Sequence, residues 1–189
     1  TKFSHLHFTS TEAYRKRVIQ LGEHPDTVFN VGAIGLDAIK KLPLLDKASF
    51  EQAIGFKLKE RNILITYHPV TLEKEAPIQT FENILTALDE LTDTALIFTH
   101  ANSDKSGRII NKMITEYVSS HKDKAVEFKS LGQLRYLSAL QFVDFVIGNS
   151  SSGMTEVPAF YIPTINIGDR QKGRIYSESV INSTNTLED

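Results

Sequence analysis

Asn62-Ile63-Leu64-Ile65-Thr66-Tyr67 is a nearly continuous apolar run. That is the pattern of a central parallel strand buried on both faces. Outward from it, strand and helix signals alternate. Residues 77–91 carry Ile78, Phe81, Ile84, Leu85 and Leu88 at helical spacing, with Pro77 suited to a first turn. Residues 95–99 read as a strand. Residues 107–120 read as a helix with Ile109, Ile110, Met113, Ile114 and Tyr117 on one side. A strand over 126–129, a helix over 131–142, a strand over 145–148 and a helix from about Ser151 follow. Residues 163–167 read as the last strand, before Gly168. Upstream, residues 49–54 form a short amphipathic helix ended by Gly55, preceded by a looser stretch with Lys40, Lys41 and Pro43. Earlier still, residues 3–8 alternate like a strand. Ser10 or Thr11 can cap a helix to about Leu21, Gly22 ends it, and 28–31 is a short strand. Such alternation with short connections predicts an α/β, Rossmann-like three-layer fold, an open parallel sheet with helices on both faces.

Composition narrows the function classes. The chain has 189 residues, 41% hydrophobic and 23% charged, with formal net charge -2. Neither a broad nucleic-acid surface nor a membrane-binding one is expected from that balance. There are no cysteines, so disulfides, thiolate metal sites and a cysteine nucleophile are excluded. No stretch reaches the roughly 18–20 apolar residues that span a bilayer, and no signal peptide is visible. A reducing cytoplasm fits. The chain has no initiator Met and ends in polar residues, so it is expected to be part of a longer protein.

In such a sheet, ligands sit outside the carboxyl ends of the strands, and four polar loops fall there. Gly148-Asn149-Ser150-Ser151-Ser152-Gly153 separates a strand from a helix. Its small residues allow close approach to a ligand, and the helix N-terminus suits a phosphate. Glu156, about one turn on, can accept bonds from two vicinal hydroxyls such as a ribose offers. A tight turn with a serine cap explains the same pattern. Gly168-Asp169-Arg170-Gln171-Lys172-Gly173-Arg174 places three cations in five residues, able to neutralise a diphosphate or simply to be solvated. His68 follows the apolar strand and can donate to phosphate or act as a general acid; a hydrogen-bonded loop histidine is the commoner case. Asn102, in Thr99-His100-Ala101-Asn102-Ser103-Asp104, can read a base or ribose, whereas Asp104 is best read as a helix cap. His5 and His7 share one face of the first expected strand. With no carboxylate at ligand spacing, a buried or domain-contact role is expected for them rather than metal binding.

The run GNSSSGMTEVPAFYIPTINIGDRQKGR (148–174), with ITYHPVT (65–71), HFTSTEAYRKRVIQLGE (7–23) and VFNVGAIGLD (28–37), resembles the hydrolysing UDP-N-acetylglucosamine 2-epimerases of sialic-acid synthesis. The resemblance covers nearly the whole chain. It implies one half of a glycosyltransferase-B-like, two-domain architecture, with residues 1–32 closing the first Rossmann-like domain and residues 33–189 forming the UDP-binding second. It also implies that Ser150, Ser151 and Gly153 meet phosphate, that Glu156 holds the ribose, that Arg170 and Asn102 contact the nucleotide region, and that His68 is catalytic. The family's reaction eliminates UDP across C1 and C2 to a 2-acetamidoglucal, then adds water to give N-acetylmannosamine. The proton-transfer carboxylates would lie before Thr1, so the isolated chain is expected to be inactive. The partner is a UDP-sugar, with no metal or organic cofactor required, and a homo-oligomer is expected of the intact enzyme. Alternatives are a UDP-linked diacetamido-trideoxy sugar hydrolase of legionaminic-acid synthesis, a glycosyltransferase of the same architecture, and a non-catalytic nucleotide-binding module.

Overall fold

The structure, a computed structural model, describes residues 2–70, 77–102 and 105–187. Its contacts divide the chain into two compact units, Thr1–Leu42 and Pro43–Asp189.

The first unit is a small parallel strand pair with its helix. β1 (His7–Thr9) pairs in register with β2 (Val28–Asn30). α1 (Glu12–Gln20) runs between them, capped by Thr11, whose side chain accepts from Tyr14 N, with Glu12 in the first turn. Two expectations change here. The strand begins at His7, so His5 lies outside it and is exposed. A carboxylate does reach the buried His7: Glu23 Oε2 lies 3.1 Å from its Nε2. Lys2 holds the same carboxyl, by hydrogen bond and charge, below the usual carboxylate range. The stretch read as loose contains a helix, α2 (Gly35–Lys41).

The second unit holds six parallel strands in the order β5-β4-β3-β6-β7-β8. Here α3 is Lys47–Ile54, β3 Arg61–Thr66, α4 Pro77–Asp89 and β4 Thr94–Thr99. α5 is Lys105–Ser120, β5 Ala125–Phe128, α6 Gly132–Ala139 and β6 Phe145–Gly148. α7 is Ser152–Thr155, β7 Thr164–Ile167 and β8 Val180–Ser183. β3 and β4 are buried at almost every position, which is why they read as unbroken apolar runs. Ile63, Ile65, Leu96 and Phe98 form one core with Phe81, Ile84 and Leu88 of α4 and Ile110 and Ile114 of α5. Side chains alternate along a strand, so Leu64 and Val146 belong to the opposite face. There α3 packs on α6 and Phe50 meets Phe142 at 5.7 Å.

β8 is a strand the sequence pattern did not reveal. It pairs parallel with β7 from Thr164↔Val180 to Ile167↔Ser183. It is also short, half polar and at the sheet edge. The helix expected from Ser151 is a single turn. Pro158 would clash with the carbonyl four residues back, and the chain continues instead as a 3-10 turn over Val157–Phe160. Thr71 and Asp104 of the quoted motifs lie outside the described residues. No helix among the described residues is long and apolar enough to cross a membrane.

Candidate functional site

The chain enters this sheet at β3, winds outward through β4 and β5, then returns to β6 beside β3 and winds the other way. The strand order therefore reverses between β3 and β6, the kind of switch point at whose strand carboxyl ends α/β sheets bind their ligands. The loops carrying His68 and Ser150 are the two that leave that point.

The two strands are drawn very close. Thr66 is in register with Gly148. A side chain on Gly148 would place its Cβ 2.0 Å from Thr66 O, and φ is +137°. Only glycine fits both conditions. The next residue, Asn149, is 1% exposed, and its amide clasps the neighbouring loop. Oδ1 accepts from His68 N at 2.8 Å and Nδ2 donates to His68 O at 2.8 Å. Its own carbonyl accepts from Arg170 Nη1 at 2.8 Å and from Gln171 Nε2 at 2.7 Å. One residue thus joins the loops after β3, β6 and β7.

His68, Ser150 and Arg170 are therefore brought to one edge. Arg170 is exposed and keeps further guanidinium donors beyond the one given to Asn149. Lys172 differs: it pairs with Asp169 at 2.8 Å, and that bond raises its pKa. A cleft of about 910 Å³ opens beside this loop, lined by Val70, Arg170, Gln171, Tyr176, Asn182 and Asn185 among others.

In the serine turn, the helix dipole contributes less than expected, because α7 has four residues. The N–H groups of Ser152 and Gly153 turn back onto Ser150, to its Oγ at 3.4 Å and its carbonyl at 3.2 Å. Ser151 is exposed and caps nothing with its side chain. Gly153 is buried, and a Cβ there would meet Thr164 Cγ2 at 2.7 Å, so its lack of a side chain lets α7 press on β7. Ser152 Oγ donates to Ser150 Oγ at 3.3 Å and is bonded to the Tyr136 hydroxyl of α6. Glu156 is half-buried, and its carboxylate accepts from Thr155.

Asn102 is exposed, just beyond β4. Its loop is braced by Asn111, whose Oδ1 accepts from Ala101 N at 2.7 Å and whose Nδ2 donates to Ala101 O at 3.2 Å. His100 is braced by Glu127 at 2.6 Å, which also accepts from Thr115 at 2.9 Å. Among the described residues no group of three or more His, Asp or Glu could hold a metal ion. Sequence reasoning assigned no task to Asn149's side chain, to Gln171, or to Tyr136 and Ser152. Nothing local signals those partners, which lie on other elements.

Fold and loop placement define a Rossmann-like α/β domain whose candidate ligand site is the β3/β6 switch point. The chain belongs to the UDP-N-acetylglucosamine 2-epimerase family, whose model matches residues 1–188. It is 44% identical to the GDP/UDP-N,N'-diacetylbacillosamine 2-epimerase (hydrolyzing) of Campylobacter jejuni, over 97% of this chain and 48% of that protein. It is 40% identical to the polysialic acid biosynthesis protein P7 of Escherichia coli, over 96% and 46%. The chain spans about half the length of the curated relatives it matches. Among solved structures, the S. aureus MnaA–UDP complex superposes with a TM-score of 0.70 at 18% identity, covering 98% of this chain and 49% of that one. At that identity the likeness concerns the fold.

Proposed function

We propose that the intact protein is a hydrolysing 2-epimerase of a UDP-linked 2-acetamido sugar, and that this chain supplies the half that holds UDP and stabilises it as the leaving group. The supporting observation is the Asn149 node. It ties His68, the Ser150–Ser151 turn and Arg170 together at the switch point, where donors to a departing diphosphate are needed. In this reading Ser150, Ser151 and Arg170 meet the diphosphate, Gly153 lets their turn pack close, and Glu156 takes the ribose hydroxyls. Asn102 lies toward the nucleoside, and His68 donates to the bond that breaks. The proton-moving carboxylates come from the other domain, whose end residues 1–32 would form, so the chain alone binds UDP without turning over a UDP-sugar.

Calorimetric titration with UDP, with AMP as control and Arg170→Ala as variant, tests it. Saturable binding of UDP but not AMP, lost in the variant, is expected. A folded chain that ignores UDP refutes the reading and favours a non-catalytic module. The sugar has two readings, N-acetylglucosamine and a diacetamido-trideoxy sugar. Identities of 44% and 36% to two diacetylbacillosamine epimerases support the second, and the 40% identity to the polysialic acid biosynthesis protein P7 supports the first. Product analysis of the intact enzyme with both UDP-sugars separates them.

A further inference from the structure

We infer that Tyr136 and Ser152 are positioning residues that make the Ser150 hydroxyl a pure hydrogen-bond donor toward the ligand's diphosphate; this rests on the proposed function. A serine hydroxyl has one proton and two lone pairs. Both acceptor directions of Ser150 Oγ are occupied from within the turn, by Ser152 N–H at 3.4 Å and by Ser152 Oγ at 3.3 Å. Its own proton has no acceptor among the described residues. It is left for a group outside the turn, and that group has to be an acceptor.

Ser152 fixes this polarity because its single proton is committed to Ser150. Either oxygen can donate in its bond to the Tyr136 hydroxyl; with the Ser152 proton given to Ser150, we take Tyr136 as the donor. The direction is uniform: Tyr136 to Ser152, Ser152 to Ser150, Ser150 to the ligand. Aligned chains of this kind polarise each successive O–H, which strengthens the last donor against an anion. Burial pushes the Tyr136 hydroxyl up to about 12, against the lowering effect of the bond to Ser152 and with Glu156 adding to the rise, so the head of the chain keeps its proton throughout the neutral range. Tyr136 sits on α6, outside the serine turn, and its hydrogen bond within the turn is to Ser152.

The alternative is that Tyr136 and Ser152 only pack α6 against α7. That role would alter stability and would treat all ligands alike. Titrating the chain, Tyr136→Phe, Ser152→Ala and the double variant with UDP, pyrophosphate and uridine tells the two apart, with thermal melts confirming folding. Each single variant is expected to lose about 3- to 10-fold in affinity for UDP and for pyrophosphate, with uridine unaffected. Since both residues act through one chain, the double variant should lose no more than the worse single one. Unchanged UDP affinity in either single variant overturns the inference. So does an equal loss for uridine, or additive losses in the double variant. Wild-type chain that fails to bind UDP overturns the proposed function as well, and is told apart because the failure then precedes any substitution.

Discussion

Replacing Asn149 measures what the clasp between β3 and β6 contributes. Asn149→Ala removes both amide hydrogen bonds to His68, at 2.8 Å each. Two such bonds are worth about 2 kcal/mol net, and leaving the His68 N–H without a partner costs about 1–3 kcal/mol more where water cannot reach it. His68 is only half-buried, so a loss near 3 kcal/mol is expected. That corresponds to a fall in Tm of about 6–12 °C for a domain of this size. Asn149→Asp is the sharper probe. The introduced carboxylate still accepts from His68 N, but its second oxygen faces His68 O, acceptor against acceptor, at a site 1% exposed. Repulsion and burial both raise its pKa above the usual ~3.9. Protonation restores a donor to His68 O. A carboxyl whose folded pKa exceeds its unfolded one stabilises the fold as pH drops through the folded value. The variant should therefore be about 3 kcal/mol less stable than wild type at pH 7.5, and should recover much of that deficit by about pH 5, whereas the Asn149→Ala deficit stays constant. Urea denaturation followed by circular dichroism, repeated across this pH range, reads it. An Asn149→Asp deficit that is absent, or does not change with pH, would refute the clasp as described.

Gly148→Ala forces a Cβ to within 2.0 Å of Thr66 O and should cost about 3 kcal/mol or more; a soluble variant with wild-type melting would contradict the close approach of β3 and β6. Glu51, on α3, is held below the usual carboxylate range by Lys57 Nζ at 2.6 Å and by Leu58 N at 3.2 Å. A depressed folded pKa contributes stability above the unfolded pKa that is lost as pH falls through the folded one, so acid unfolding of Glu51→Gln should show a weaker pH dependence below about pH 4.5; parallel curves for variant and wild type would count against it. Arg170→Lys should weaken UDP binding about tenfold, since a lysine cannot both reach Asn149 O and clamp an anion in a fork; calorimetry showing undiminished affinity would take Arg170 out of the site.

How legible the fold was follows from burial. β3 and β4 are covered on both faces, and such strands cannot avoid an apolar run; β6 is buried on one face and half-buried on the other. α4 and α5 each present one apolar stripe to the same core. β8 has neither property: it lies at the edge, Ile181 and Asn182 face solvent, and a helix-free loop leads into it from β7. Its place is set by pairing with β7, a long-range fact that leaves no periodic trace. α2 is likewise too short to show a full stripe. His5 fell outside β1 because alternation continues past the point where β2 can pair with it.

For the site, chemical type was readable and connectivity was not. His68, Ser150, Glu156 and Arg170 draw attention in the sequence because each falls in or just after a polar loop that follows a strand, although each pattern also has an ordinary structural reading. Asn149 stands in the same quoted turn, yet its amide reads as one more small polar residue until the partner 81 positions away is known. Tyr136 is harder still, since on α6 it is one ring among the apolar residues of an amphipathic helix.

The Asn149 node also bears on why a single residue carries so much. At a switch point the two loops diverge, since one chain direction leads to β4 and the other to β7, and the backbone of each loses its ladder partner there. Those N–H and C=O groups must be paired by something other than a strand. An asparagine amide presents one donor and one acceptor at the spacing of a peptide, so it can stand in for the missing strand at His68 while its own carbonyl remains free for the loop beyond β7. Aspartate would supply no donor, and serine too little reach for both partners. Tied in this way, the loops keep their donors oriented with no ligand present, which is what the proposed stabilisation of a departing diphosphate requires of them, since preorganised donors need not reorganise first.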